Sequence, residues 1–506
     1  MWYTFYSKTN IKADDDITNE TGALIDVRDT KNIGMRVELG KVATDDNSGT
    51  LTPEAVNKGK IAITCGTGNI GMVANQSEAG GHKAIAVNST NGEISFWAQD
   101  RNAIGILSQN GAEIVNNSLI KNGDSGSVET IGMVINDKNS SGKNTGNIEM
   151  NGIKVTGVYN NEGIFEMTDV SISASGEESI SLYAKGSDTV TTTETKIIKG
   201  TITAEKKALG LFADRTTVEL GDSANDNTVT LNAKDTGTLL FYNYTSGTNN
   251  AKGIFKLNNN VKGNLTDGAT AFYFKDTVPG DAVGQTSEKL DEMFTGSVSD
   301  KKVNLKLDKN STLFILDNTA PNADYIDLSS VDIRRINDFL GRHVSIDDSS
   351  SPSFKAYKAT KASLAIDTDV DLDNHTGDAS NPIDKYYRVD FLNSSVRVDT
   401  GKTVRGTDTA AVSQAIAQAN YSGSADSADV KVENNGTIDF SKKNATAIAV
   451  DFAEARNSGK IVMNAANGDG ENSVAMFGAS GSKLENTGSG TIELGTNGVE
   501  IWGRTG

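Results

Sequence analysis

Asp367, Asp369, Asp371 and Asp373 alternate with Thr368, Val370 and Leu372. On a strand, alternate residues share a face, so four carboxylates would line up side by side. Calcium takes such oxygens, but the D-x-D-x-D-G loop that wraps it has glycine where Leu372 stands. No calcium is expected there, and the other reading is the solvated outer face of a strand. His82, His343 and His375 are the only histidines, and no H-x-x-x-H or H-E-x-x-H spacing joins them; a zinc hydrolase is not indicated. There is no G-x-S-x-G elbow and no G-x-x-x-x-G-K-[ST] phosphate loop. Cys65 is the one cysteine, which excludes an internal disulfide and a cysteine-rich metal centre. No catalytic residue, cofactor or metal is expected. The remaining constellation is basic and aromatic. Arg334, Arg335 and Arg342 crowd one short stretch, and Tyr357, Tyr386, Tyr387 and Arg388 follow. Arg and Tyr are residues that interfaces favour, so these seven are the candidate receptor-binding residues. The alternative is a solvated helix face beside ordinary core tyrosines.

The elements that would carry these residues are written in repeats. Asn434, Gly436, Ile438 and Phe440 are followed by a polar stretch and a second apolar run, Ile448, Val450 and Phe452. The phrase restarts at Asn457, Gly459, Ile461 and Met463, then Val474 and Met476, and again at Asn486, Gly488 and Ile492. Earlier copies begin at Asn57, Asn91, Asn110, Asn144 and Asn161. A companion phrase sets glycine among apolar residues: Ile70-Gly71-Met72-Val73, Ile104-Gly105-Ile106-Leu107, Ile131-Gly132-Met133-Val134 and Leu209-Gly210-Leu211-Phe212. A period of roughly 20–30 residues means stacked structural units. One alternating strand cannot bury its face alone, but copies stacked above it can. The fold expected is all-β, a right-handed parallel β-helix with short helical and loop insertions and at least two strands per coil. Asn and Gly before each strand are expected to mark turns, since both tolerate φ > 0. Ile438, Phe440, Ile448, Val450, Ile461, Met463, Val474 and Ile492 are expected to point inward.

The totals agree. The 506 residues hold 51 glycines, 5 prolines and 36% hydrophobic residues, which suits many turns around a narrow core. A net charge of −18 argues against nucleic acid and anionic membranes, which need basic patches. No apolar run is long enough for a membrane helix. The N-terminus lacks the basic and apolar regions of a signal peptide, and the chain starts and stops in strand-like text, so it reads as a segment of a longer protein.

Four stretches differ in texture. Residues 1–56 read as irregular N-terminal coils, 57–276 as regular β-helix, 277–400 as β-helix with insertions and 401–506 as C-terminal coils. Ser287 to Phe294 suggests one or two helical turns. Ser329 to Leu340 has a helix start and an apolar face, with Gly341 as its stop. Asp408 to Ala419 carries Val412 and Ile416 at helical spacing.

The N-x-G-x-I turns (Asn434 to Ile438, Asn457 to Ile461), the Gly-apolar phrase, Leu305 to Asp317 (LKLDKNSTLFILD) and Ala362 to Asp373 (ASLAIDTDVDLD) together resemble the passenger of a type V autotransporter, close to the large fusobacterial-type adhesins. The likeness covers most of the chain from about residue 57. It implies a parallel β-helix exported through an outer-membrane β-barrel, anchored in the outer membrane by that barrel outside this segment, and displayed at the cell surface. The expected partner is a host-cell or bacterial surface receptor, glycan or protein; the expected roles are adhesion, coaggregation and virulence. Two other classes stay open. Carbohydrate-active β-helix enzymes, lyases or hydrolases, need a groove of carboxylates with Arg or Lys, which stacking of coils could assemble unseen. A structural stalk needs no binding site at all.

Overall fold

The structure is a computed structural model. It describes residues 16–39, 52–76, 83–97, 100–122, 127–187, 194–224, 228–244, 253–276, 293–308, 311–317, 331–332, 339–347, 355–360, 363–373, 389–392, 395–410, 413–419, 431–463 and 471–504. It is a parallel β-helix. The chain divides into two compact units: Met1–Tyr242 with Gly247–Ala269 and Phe294–Lys306, and Asn243–Ser246 with Thr270–Met293 and Leu307–Gly506.

In the first unit most coils lay down three strands, in keeping with the expected two or more. The second coil, for example, has Glu54–Asn57, Lys60–Ile63 and Ile70–Gln76. Each strand pairs in parallel with its counterpart in the next coil, Ile85–Asn88, Glu93–Phe96 and Ile104–Gln109. This register stacks like on like. Ile25, Ile61, Ile94, Ile120, Ile148, Ile172 and Ile202 form one column. From Ile61 onward the column is buried. Period-two alternation is what sends this column inward and leaves its strand neighbours outside.

The corner after the first strand is held by asparagine. Asn19, Asn57, Asn88, Asn116 and Asn144 stack in register, and each side-chain amide donates to the Oδ1 of the next at 2.8–2.9 Å. The column then changes to Met167, Ile197, Leu220 and Leu257. Where Met167 and Ile197 take over, the first two strands fuse into single 12-residue strands, Ile164–Ser175 and Glu194–Glu205, bent by a bulge. Asn144 has the next coil's apolar Met167 above it, and its buried Nδ2 has no hydrogen-bond partner. The second unit repeats the device: Asn434, Asn457 and Asn486 form a ladder with the same direction. It starts above Val398, and the Oδ1 of Asn434 is the unpartnered end.

The asparagines are therefore not the left-handed turn residues that the repeat suggests. None of Asn57, Asn144, Asn434 or Asn457 has positive φ, whereas Asn110 and Gly111, at a different turn, have φ 59° and 90°. In the copy that begins Asn91-Gly92 the ladder residue is Asn88. The glycine two residues after the ladder asparagine is required by close approach. A Cβ on Gly459 would lie 2.1 Å from the carbonyl oxygen of Gly436, and one on Gly59 2.5 Å from that of Ala23. In the last coil Gly490 holds this position; Gly488 faces open space. Companion-phrase glycines also pack closely: a Cβ on Gly105 would meet the Gly132 carbonyl oxygen at 2.4 Å. In the second unit this position is alanine at Ala415, Ala447 and Ala475, all buried.

Of the expected core, Ile438, Phe440, Ile448, Val450, Ile461 and Met463 are buried. Val474 is half-buried and faces outward, because the companion strand buries its second and third residues, Ala475 and Met476. Ile492 is half-buried in the last described coil, whose Ile501 is 40% exposed. The described part of Asp408 to Ala419, which leaves out residues 411–412, is not helical: Gln414–Ala419 is a strand, with Ile416 registered on Ile448. Its spacing of Ala415 and Ile416 is that of the companion phrase, and the sheet register overrides a weak helical pattern. In Ser329 to Leu340, Val331–Asp332 is a strand. Residues 339–343 are helical, so the helix passes through Gly341 instead of stopping before it. Met293 and Phe294 are buried at a turn, and residues 287–292 lie outside the described residues.

The outer faces of the first unit differ. Outside the first strands, Lys143, Glu166, Lys196, Glu219 and Lys256 alternate in register. Burial pushes the Glu219 carboxyl up, but Asn258, Lys256 and Lys196 outweigh it and hold it below the usual value. Outside the third strands runs an apolar ribbon of two columns. One column registers Ile33, Ile70, Ile104, Ile131, Thr156, Ile180, Leu209 and Thr238; the other runs Arg36, Val73, Leu107, Val134, Tyr159, Tyr183, Phe212 and Phe241.

Candidate functional site

From Leu307 on, the region that interrupts the repeat belongs to the second unit. Its described helix, residues 339–343, is anchored by Phe339 and Leu340, both buried. The Phe339 ring stands edge-on to Phe272 and Phe314, with centroids 5.6 Å away in each case. Phe272 and Phe314 are themselves stacked in register, 5.4 Å apart. Phe339 is thus a plug on a rigid aromatic pair, and edge-to-face packing of this kind fixes orientation as well as burying area. Arg342, on the same short helix, is exposed, and the half-buried His343 ring lies 5.4 Å from Phe339. Tyr357 is in the strand Lys355–Thr360, registered on Phe314. Arg334, Arg335, Tyr386, Tyr387 and Arg388 lie outside the described residues, as do His82 and His375.

Asp367 to Asp373 is not one strand. Ser363–Ile366 and Val370–Asp371 are separate strands with a corner between them. Three of its carboxylates tie this coil to the next. Asp369 accepts the Thr403 N–H at 2.8 Å, Asp371 pairs with Arg405, and Asp373 accepts from Thr407 N at 2.9 Å and Thr409 Oγ1 at 2.9 Å. Leu372, in the place of the calcium loop's glycine, is buried. Among the described residues no group of three His, Cys, Asp or Glu side chains is arranged to hold a metal.

Other charged groups are used in the same way. Glu93 lies between Lys60 at 3.0 Å and Lys121 at 3.4 Å, each from a neighbouring coil. Burial raises its pKa, but the two ammonium groups more than offset this and leave it lowered. Asp100 is the exception. It is buried, one oxygen accepts the Trp97 N–H at 2.9 Å, the other has no partner, and burial pushes its pKa up to about 6. A raised carboxyl can mark a general acid. Here it is buried and braces a corner through the backbone of Trp97, whose side chain is 59% exposed.

The asparagine ladders and the outer aromatic column are features that the sequence reading misses. Asparagine recurring as the last residue of first strands, at Asn57, Asn88, Asn116 and Asn144, is the signal that could have found the first of them. Comparison with protein-family models, curated proteins and solved structures finds no match for this chain.

Proposed function

We propose that the chain is a surface-displayed adhesin segment of an autotransporter, in which a β-helix presents the region from about residue 278 to 400 to a glycan or protein receptor on host cells or other bacteria. The observation that carries the reading is the anchored helix at 339–343: Phe339 is plugged into the coil while Arg342 stays exposed. Recognition is commonly placed on excursions from a rigid scaffold, and arginine is among the side chains able to dominate an interface. On the regular coils, Lys60 pairs with Glu93, Lys154 with Glu129 and Glu178, and Lys460 with Glu493, all between adjacent coils.

The test compares cell binding by two variants. One carries Arg334→Ala, Arg335→Ala and Arg342→Ala; the other carries Lys60→Ala, Lys154→Ala and Lys460→Ala. The arginine variant is expected to bind at least about tenfold more weakly, the effect of losing one interface anchor, with the lysine variant near the parent. Equal binding by both, or weakening of the lysine variant alone, would move the receptor site to the coil faces.

A further inference from the structure

The large rings of the core are phenylalanine and tyrosine, whereas the two described tryptophans, Trp97 and Trp502, are 59% and 52% exposed. An indole left in water forgoes a large apolar burial. Trp97 is also held in place. Its N–H is shared between the Ile63 carbonyl oxygen one coil below, at 3.0 Å, and the buried carboxylate of Asp100, at 2.9 Å. Its own carbonyl oxygen accepts from the Asp100 N–H at 3.1 Å and from the buried Ser127 hydroxyl one coil above, at 3.3 Å. Asp100 does this with its other oxygen buried and, among the described residues, unpartnered. Trp502 lacks such a brace and packs edge-on against Phe477, with centroids 5.5 Å apart. An exposed indole on a backbone fixed at both its N–H and its C=O, over an acid whose burial opposes folding, is a local conflict of the kind found at functional positions.

We propose that the Trp97 corner is a glycan-binding site, in which an uncharged pyranose ring stacks on the indole. The C–H bonds on one face of a pyranose carry partial positive charge, which the negative face of an indole attracts. The neighbours below fit the sugar's hydroxyls. Val27, Ile63 and Phe96 are in register, so the residues that follow them, Arg28, Thr64 and Trp97, stand in successive coils about 5 Å apart. Thr64 donates its hydroxyl to one Asp26 oxygen at 2.6 Å, and the other accepts from Arg28 Nε at 2.6 Å. Arg28 is exposed. A carboxylate beside a guanidinium presents acceptors and donors together, and each hydroxyl of a vicinal diol is both. The pair is close to neutral, so it does not call for a charged ligand. A protein partner fits less well. One exposed ring with polar neighbours is little beside the roughly 800 Å² per partner, centred on clustered anchors, of a specific protein interface. Trp97 and Arg342 belong to different units, so this site is additional to the receptor-binding region proposed above.

Titration calorimetry and saturation-transfer NMR on the full chain test it. The probes are the neutral trisaccharides of glucose, galactose and mannose, with trigalacturonate as the charged counterpart. At least one neutral probe is expected to bind with a Kd of roughly 1 mM, with saturation strongest on its ring C–H protons. Trp97→Ala is expected to weaken this binding at least about tenfold without changing the circular dichroism, since most of the side chain lies outside the core. Arg28→Ala is expected to weaken it about fivefold, the loss of one hydrogen bond. Trp502→Ala and Arg342→Ala are expected to leave it unchanged. Failure of every neutral probe to bind overturns the proposal. So does binding that survives Trp97→Ala, or binding of trigalacturonate alone. Binding lost in Arg342→Ala and kept in Trp97→Ala also overturns it, and would assign the sugar to the receptor-binding region instead.

Discussion

At the scale of single residues, the described structure turns on buried amides and the buried acid Asp100. Asn116 accepts from Asn88 and donates to Asn144, both at 2.8 Å. Asn116→Ala therefore leaves the Asn144 Oδ1 without a partner and the Asn88 amide with only the Leu119 carbonyl oxygen at 3.5 Å, at a cost of about 2–4 kcal/mol. Asn144→Ala breaks one bond and removes a donor that had no partner, so it should cost less; equal losses in urea unfolding would contradict the ladder. Asp100 gives a pH signature. Its folded pKa, about 6, is above the ordinary aspartate value of 3.8. Below about pH 4 it is protonated in both states. As pH rises through 6 the folded chain must carry a buried charge that the unfolded chain carries in water, so stability is lost. A rise of this size corresponds to about 3 kcal/mol at most. Asp100→Asn keeps an acceptor for the Trp97 N–H without the charge. It should melt above the parent at pH 7, and the difference should vanish near pH 4. A difference constant with pH would rule this out.

At the scale of strands and corners, the glycines decide how closely coils approach. Gly459→Ala puts a methyl 2.1 Å from a backbone oxygen, a clash the coil cannot relieve by turning a side chain. Overpacking of this kind costs about 1–3 kcal/mol. Gly488→Ala meets nothing within 4 Å and should change stability by no more than about 0.5 kcal/mol; thermal melts of the two separate these outcomes. The same pair shows what is legible in the sequence. Period-two alternation identifies Ile438 and Ile461 as inward, and the recurrence identifies stacking, because both depend on the pleat alone. Which glycine matters, and why asparagine precedes it, depends on the coil below, which no local window contains. For the same reason the strand Gln414–Ala419 reads as a helix: its meaning lies in Ile448, one coil later. The carboxylates of Asp369, Asp371 and Asp373 look like a row on one strand and prove to be ties between coils. Of the candidate receptor residues, the sequence names types but no packing; the plug that sets Arg342 at the surface, Phe339 on Phe272 and Phe314, joins residues far apart in the chain.

At the scale of the whole molecule, each unit is a stack in which a coil touches its neighbours, so stability is close to a sum of coils and of the contacts between adjacent coils. A net charge of −18 keeps such chains apart in general. The asparagine ladder has one more consequence. Its rungs at Asn88, Asn116 and Asn144 are each 28 residues apart, and every amide donates in one direction. A deletion or duplication of a full 28 residues in this stretch would therefore return every surviving amide to an amide, while inserting one or two residues ahead of Asn116 would set Asn88 against Val115 or Ile114. The reading frame of this protein's evolution, in its length as opposed to its residues, is the coil.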